Sequence, residues 1–461
     1  MENTKSMDVF SKAPVSTAVL KNVLPAMAAM VMLLIYNLAD TFFIGLTHND
    51  ISIAAVSLAM PIFMIFVTVG SVFGVGGTSV ISRAMGEGKI DYAKKVCSFC
   101  MWGCVTVGIV LMVLVFLFMD QILALVGASP ETMEASKMYL SIVSCGGIFA
   151  IISGCFSNII RAEGRANEAM IGQIVGNLLN IILDPIMILA FGWGVAGAAI
   201  ATVIGIVFGA AFYIIYFLRR KSILSIHPRD FSMKDGICKG VLAIGIPASL
   251  GSLMMSVSQM IVNSQMAQYG DMALAGMSVA MKVTMIIAML GMGLGQGVQP
   301  LLGYCVGARA WERFKKVLRF SAIFALALSL VLTLLCYLFT GPMVKMMLTN
   351  DAAYNYGVQF AHILLTTSFL FGVFNVLCNA LQAMGAATAA LIVNLSRQGI
   401  IYIPALFILQ YFLGITGLVW AQPVADVLST VLVAVLYLYT IRKMELETSR
   451  KDIQAYETVQ P

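Results

Sequence analysis

The sequence predicts an all-α integral membrane protein with twelve transmembrane helices in two pseudo-symmetric six-helix bundles. Three observations carry that expectation. Hydrophobic residues make up 60% of the chain and charged residues 11%, with a mean hydropathy of +0.94, too little polar surface for soluble domains. Apolar runs of about 20 residues or more, the length that crosses a hydrocarbon core as a helix, recur along the whole chain between short polar breaks. Finally, the chain repeats itself: residues 50–99 can be laid on 271–320 without a gap, at an offset of about 221. Asp50 then meets Asp271, Gly74 and Gly76 meet Gly295 and Gly297, Gly86 meets Gly307, and Lys94-Lys95-Val96 meets Lys315-Lys316-Val317.

The first six spans are expected near Ala18 to Gly45, Ile51 to Val80, Val96 to Met119, Met138 to Ile160, Ala169 to Ala190 and Val195 to Leu218. Their counterparts lie near Gly240 to Met266, Met272 to Leu302, Val317 to Phe339, Gly357 to Leu381, Ala389 to Leu409 and Ile415 to Tyr439. Basic residues fix the expected orientation. Arg83, Lys89, Lys94, Lys95, Arg161, Arg165, the Arg219 to Lys239 segment and Arg309 to Arg319 all fall on one side, which the positive-inside rule makes cytoplasmic. Of 28 Lys and Arg residues only Lys137 and Lys345 sit in the opposite loops, so the net charge of +6 reflects topology and no nucleic-acid partner is expected.

The expected organisation is a cytoplasmic tail over 1–17, an N-terminal lobe over 18–218, a cytoplasmic linker over 219–239 containing Pro228, a C-terminal lobe over 240–441 and a charged, solvated tail over 442–461. Residues 1–15 are polar and the run that follows is too long for a signal core, so no cleavable signal is expected and both termini fall in the cytoplasm. An even number of spans per repeat gives the two copies the same orientation about an axis along the membrane normal. The nine cysteines, mostly inside apolar runs, read as small hydrophobes, and the Cys97-Cys100 pair lacks the second pair or histidine that a metal site needs.

Charged side chains inside spans are the main functional signal, since each costs about 2.5–3.5 kcal/mol at the bilayer centre. In the first half these are Asp40 and Asp184; in the second they are Lys282, Arg397 and Asp426, with His362 as a weaker case. Gln173, Asn177, Asn180 and Asp184 have helical spacing and form a polar stripe on one face of the fifth span, and Pro185 after them frees a backbone carbonyl. Tyr36, Asn37 and Asp40 share one turn of the first span, with Pro25 upstream as a bend point. Two buried carboxylates near each other resist joint ionisation and so take up protons near neutrality. The same oxygens at Asp40, Asn180 and Asp184, with Thr202, can instead hold a sodium ion; the residue types leave both cations open.

In the second half the counterparts of Asp40 and Asp184 fall near Val262 and opposite Ile403 to Ala405, so the copies have diverged in chemistry. Lys282 and Asp426 are expected to form an interior pair, with Arg397 either joining that acid or turning to solvent. Other residues expected near a substrate cavity are Tyr36, Asn37, Tyr139, Asn158, Asn177, Met254, Met255 and Gln259, helped by a supply of 31 flexible, polarizable methionines.

The runs Arg161-Ala162-Glu163-Gly164-Arg165, Asn180-Ile181-Ile182-Leu183-Asp184-Pro185 and Gly194 to Thr202 closely resemble the multidrug and toxic compound extrusion (MATE) family, with the character of its MepA-like bacterial branch. The resemblance spans nearly the whole chain. It implies two bundles around a central cavity and export of bulky, often cationic drugs across the cell membrane, driven by inward proton or sodium flow and needing no cofactor. It also maps the family's first-lobe cation network onto Asp40, Tyr139, Asn180, Asp184 and Thr202, while Gln259 stands where another branch has an acid. The expected partners are small organic cations and membrane lipids, with no obligate protein partner. A lipid-linked oligosaccharide flippase is the alternative, but it calls for a strongly cationic interior. A membrane-embedded enzyme is disfavoured because HExxH, GxSxG, Walker A and aspartate-rich diphosphate motifs are all missing and His48, His227 and His362 are scattered.

Overall fold

A computed structural model describes residues 9–45, 50–219, 222–348 and 350–457. The outer parts of both expected tails, and His48, lie outside the described residues. Numbered by span, the first half comprises α1 (Val15–Gly45), α2 (Asp50–Gly86), α3 (Ile90–Leu117), α4 (Pro130–Ala162), α5 (Ala166–Asp184, continued by a π-helical turn Pro185–Ala190) and α6 (Gly194–Leu218). The second half comprises α7 (Ile237–Ala267), α8 (Asp271–Gly307), α9 (Trp311–Leu338), α10 (Asp351–Ser368 and Leu370–Ala383), α11 (Ala387–Leu395, continued by a π-helical turn Ser396–Ile400) and a final run Tyr402–Glu457. The halves of α10 meet at a 45° bend and together make one span. The final run breaks at Gly414, where φ is 63° and ψ is −138°, so its first part completes α11 and its second part is α12. Twelve crossings result, and no strand occurs among the described residues.

The repeat governs local structure as well as length. Both α2 and α8 run for 37 residues, and both α3 and α9 for 28. Ser129 starts α4 with a capping box to Thr132 and Pro130 in the first turn, and Asn350 caps its counterpart through the backbone N–H groups of Ala352 and Ala353. That cap sets the start of α4 eight residues before the expected Met138, because a polar first turn hides from hydropathy. The bend in α10 also has a local cause. Thr366, Thr367 and Ser368 stand in sequence, and the first and last turn their hydroxyls onto the carbonyls of Ile363 and Leu364, a competition that bends helices. The expected charged tail is helical through Glu457, with no Gly or Pro between Pro423 and Glu457, and Lys315 pairs with Glu445 at 2.6 Å.

Each half has its own apolar core, around Phe66, Phe156 and Ile151 in the first and Phe314, Leu301 and Phe374 in the second, with a further cluster around Phe360 and Tyr402. The start of α1 belongs to the other half: Val19, Val23 and Met27 pack with Leu294, Val298 and Leu301 of α8. Glycines let the halves touch backbone to backbone. A Cβ at Gly245 of α7 would lie 1.9 Å from the Val72 carbonyl oxygen of α2, and one at Gly307 of α8 would lie 2.0 Å from that of Arg83. Ser249 donates to the Thr68 carbonyl, Ser79 to that of Gln382, and Arg161 to Gln296 Oε1 at 2.8 Å. These approaches use residues 68–83 of α2, 245–249 of α7 and 296–307 of α8, with Arg161 of α4 and Gln382 of α10, so the halves close on each other at one end.

The connection between the halves is strapped to the first. Ser98 donates to the His227 carbonyl at 2.8 Å, Phe231 stacks on Phe99, and α7 begins at Ile237. Glu163, directly after α4 and 1% exposed, accepts from Tyr216 at 3.1 Å, Ser222 at 2.8 Å and the backbone N–H of Ile223. Burial pushes its carboxyl up from 4.5 to about 7, against the lowering pull of those donors and of Arg165. The folded chain therefore holds this proton more tightly than the unfolded chain, and the stability it contributes at low pH is lost as pH rises from about 4.5 through about 7. In thermal unfolding, wild type should lose stability relative to Glu163→Gln as pH is raised from about 5 to about 8. A difference between the two that stays constant with pH contradicts this role.

Candidate functional site

The polar stripe of α5 faces inward. Asp184 is fully buried, Asn180 is 2% exposed, and Asp40 of α1 is 8% exposed. Pro185 has no N–H to continue the ladder, and the chain relaxes there into a π turn closed by Phe191 N–H on the Ile186 carbonyl at 2.9 Å. Around the two acids stand Tyr139 of α4, Thr202 of α6 and Tyr36 of α1; Tyr36, Asp40, Tyr139 and Asp184 are near enough for their charges to interact, and Tyr36 hydrogen-bonds Thr202. Four helices thus bring together all five residues of the expected cation network.

The Thr202 backbone N–H is a fixed donor, and it settles which way the Asn180 amide points. Its Oδ1 accepts from Thr202 N at 2.9 Å and Oγ1 at 3.2 Å, which leaves Nδ2 to donate to Asp184 Oδ2 at 3.0 Å. Asn180 is therefore a donor to the carboxylate, and its oxygen is taken up by Thr202 instead of joining Asp184 on a shared ion. The other carboxylate oxygen, Asp184 Oδ1, is buried without a hydrogen-bond partner among the described residues, as is Asn177 Nδ2. A buried acceptor left open costs about 1–3 kcal/mol, more if charged, so this oxygen is where a small cation or a proton gains most. The polar side chains gathered at the two acids, Tyr36, Tyr139, Asn180 and Thr202, carry oxygen and amide groups, which suit H⁺ or Na⁺ better than a soft transition metal.

Other expected cavity residues divide. Asn37 is half-buried on the turn that carries Tyr36 and Asp40. Asn158 serves structure: it donates to the Gly154 carbonyl at 2.9 Å and accepts from Arg161 at 3.2 Å. Met254 turns toward Gly399. Met255 and Gln259 do line a cavity of about 530 Å³ inside the second half, within the range of small-molecule sites. His362 stacks on Tyr337 with ring centroids 4.3 Å apart, a packing role.

The second-half charges pair differently from expectation. Asp426 is held by Arg397, with Nε at 3.0 Å and the guanidinium again at 2.9 Å, while Gln422 donates at 2.9 Å and Thr367 at 3.5 Å. Lys282 lines the same cavity but has no ion-pair or hydrogen-bond partner among the described residues. The planar guanidinium explains the preference. It reaches the carboxylate with two N–H groups while its face lies over Phe371 at 4.2 Å and Phe374 at 5.4 Å, which an ammonium matches poorly. Arg397 itself sits in a π turn, so each half places an interior charge at such an irregularity.

Sequence reasoning missed two features. Arg161, counted only among the basic residues of the cytoplasmic side, is 2% exposed and bridges to Gln296 of the other half. The periodicity of α8 concealed how Met277, Met281, Met285, Met289 and Met292 line one cavity; their near-helical spacing was the available signal.

The MatE family model matches residues 25–186 and 247–408, one stretch in each half. The chain belongs to the MatE family. It is 31% identical over 442 residues to the multidrug export protein MepA of Staphylococcus aureus strain MRSA252, covering 95% of this chain and 97% of that one. It is likewise 31% identical over 439 residues to MepA of Staphylococcus saprophyticus, covering 94% and 95%. Its fold matches that of a MATE transporter of the MOP superfamily solved in an outward-facing conformation, with a TM-score of 0.90 at 24% identity over 96% of this chain and 99% of that one. A MATE crystal structure in complex with MaL6 matches equally well, at a TM-score of 0.90 and 24% identity over the same shares. This MatE chain is a multi-pass membrane protein with two lobes.

In this MatE chain the Arg397–Asp426 pair is shielded, with side chains 14% and 8% exposed, so removing one partner strands the other. Asp426→Asn should cost about 3–5 kcal/mol in unfolding of the purified protein, and Arg397→Leu with Asp426→Leu should recover most of it. Equal losses in the single and double variants contradict this.

Proposed function

We propose that the chain is a secondary active multidrug exporter that carries bulky organic compounds, chiefly cations, out of the cell against inward proton flow. The observation that carries the reading is the Asp40–Asp184 cluster, whose open Asp184 Oδ1 has no partner among the described residues. The family and the MepA relatives supply the transport class; the cluster supplies the coupling. Protons rather than sodium are favoured by Asn180, which donates to Asp184 and offers no oxygen to an ion. The alternative flippase reading lacks support in a first lobe whose central cluster carries the acids Asp40 and Asp184.

In this mechanism the lobes stand closed at the end rich in basic residues, which the positive-inside rule puts in the cytoplasm of a cell-membrane protein with both termini inside. Proton and cationic cargo compete for the same carboxylates, which gives each a different affinity for the two states and so couples their movements. Ionised Asp40 and Asp184 offer the cargo a counter-charge; protonation withdraws it and releases the cargo outward. The first helix links this event to the second lobe. Its start packs on α8, its end carries Asp40, and Pro25 between them is the bend point. One charge moving through 100 mV supplies about 2.3 kcal/mol, roughly a fifty-fold concentration ratio.

The test is transport of a cationic dye in proteoliposomes under an imposed pH or sodium gradient. A pH gradient should drive accumulation in wild type and a sodium gradient should not. Asp40→Asn and Asp184→Asn should each lower it at least about tenfold, a loss of about 1.4 kcal/mol of coupling or more. Unchanged gradient-driven accumulation in both variants moves the coupling site elsewhere.

A further inference from the structure

The cavity in the second lobe is chemically unlike the acidic cluster in the first. Three charged residues line it, Lys282, Arg397 and Asp426. Asp426 is satisfied by Arg397, Gln422 and Thr367, so that pair is internally neutral. Lys282 remains. It is exposed on the cavity wall of α8, twelfth of 37 helical residues, with no acid within ion-pair distance among the described residues. An intramembrane lysine normally faces a partner or marks a pathway, and here the apolar remainder of the wall is dominated by methionines, soft surfaces that adapt to aromatic or alkyl bodies.

We propose that this cavity is a ligand site for amphipathic carboxylates, with Lys282 binding the carboxylate and the methionine wall taking the apolar body. The cavity's about 530 Å³ suits a drug-sized acid. Lys282 acts as a point charge on a flexible stem, able to follow acids of different length, whereas Arg397 is fixed between Asp426 and two phenylalanine rings. The site lies in the other lobe from Asp40 and Asp184, and occupancy by an acid needs no proton coupling. An exporter built this way accepts zwitterions and acids as well as cations.

An oxyanion on an apolar body can also come from a phospholipid, and the experiment separates the two sources. The full chain in phosphatidylcholine nanodiscs is titrated calorimetrically with biphenylcarboxylate, with its uncharged carboxamide, and with biphenylmethylammonium. The acid should bind at least about tenfold more tightly than the amide, and the ammonium less tightly still. In Lys282→Met, which keeps the length of the apolar stem, the acid-to-amide ratio should fall to about one, and Lys282→Arg should restore most of it. An unfolding scan of each variant establishes that it is folded. Equal binding of acid and amide in wild type, or an unchanged ratio in a folded Lys282→Met, overturns the proposal. So does acid binding that vanishes in phosphatidylglycerol nanodiscs while anionic lipid protects Lys282 from amine modification, because the ligand is then the lipid headgroup. These readouts are of binding alone, so a failure of gradient-driven transport leaves them standing and the reverse also holds.

Discussion

The polar cluster inside the first lobe is arranged around a carboxylate that the protein does not fully satisfy. Asp184 receives the Asn180 amide on one oxygen and leaves the other open, with Asp40 beside it and apolar helices outside. Taking an ionised carboxylate out of water is costly unless it is paired and hydrogen-bonded, and a second carboxylate nearby adds to the cost. Among the described residues no basic side chain forms an ion pair with Asp40 or Asp184. In the mechanism proposed here the missing charge comes from outside, first as a proton and then as cargo, and that alternation drives the cycle. Filling the site with a permanent partner, as Arg397 does for Asp426, would make it stable and useless for coupling.

The two halves show how one scaffold supports two chemistries. Helix lengths and caps repeat at the same offset, down to Ser129 and Asn350 at corresponding starts. Gly88 ends its turn in the left-handed region at φ 74°, and its counterpart Arg309 is held in the same conformation at φ 53°, so the two halves share this backbone path with and without a glycine. What differs is inside. The central cluster of the first lobe carries two acids and the cavity of the second a neutral pair with a surplus lysine, and in each lobe one of these charges, Asp184 or Arg397, stands at a π turn that breaks the regular ladder at a different place in the fifth span.

Much of this was legible in the sequence because the bilayer makes hydropathy and charge decisive. The twelve spans, the repeat and the polar face of Gln173, Asn177, Asn180 and Asp184 follow from apolar length and helical spacing. Where expectation failed, the deciding physics was not periodic. Ser129-Pro130 starts α4 in a stretch too polar to count as membrane, and Thr366 and Ser368 bend α10 through bonds to helix carbonyls that hydropathy cannot register. Arg161 lies where a basic residue normally meets water, and only the approach of Gln296 from the other half buries it. Whether Lys282 or Arg397 pairs with Asp426 depends on which helix faces bring them together, and on Phe371 and Phe374 beneath the guanidinium.

The first helix ties these parts together, packed on the second lobe at one end and contributing Asp40 to the first lobe's cluster at the other. The account's central claim is that cargo and proton occupy the acidic cluster in turn. It is tested most directly by following proton release when tetraphenylphosphonium binds to the purified protein in weakly buffered, sodium-free solution near neutral pH. The account predicts about one proton or more released per cation bound, and none from the protein carrying both Asp40→Asn and Asp184→Asn. Saturable binding of the cation to wild type with no proton released would contradict it.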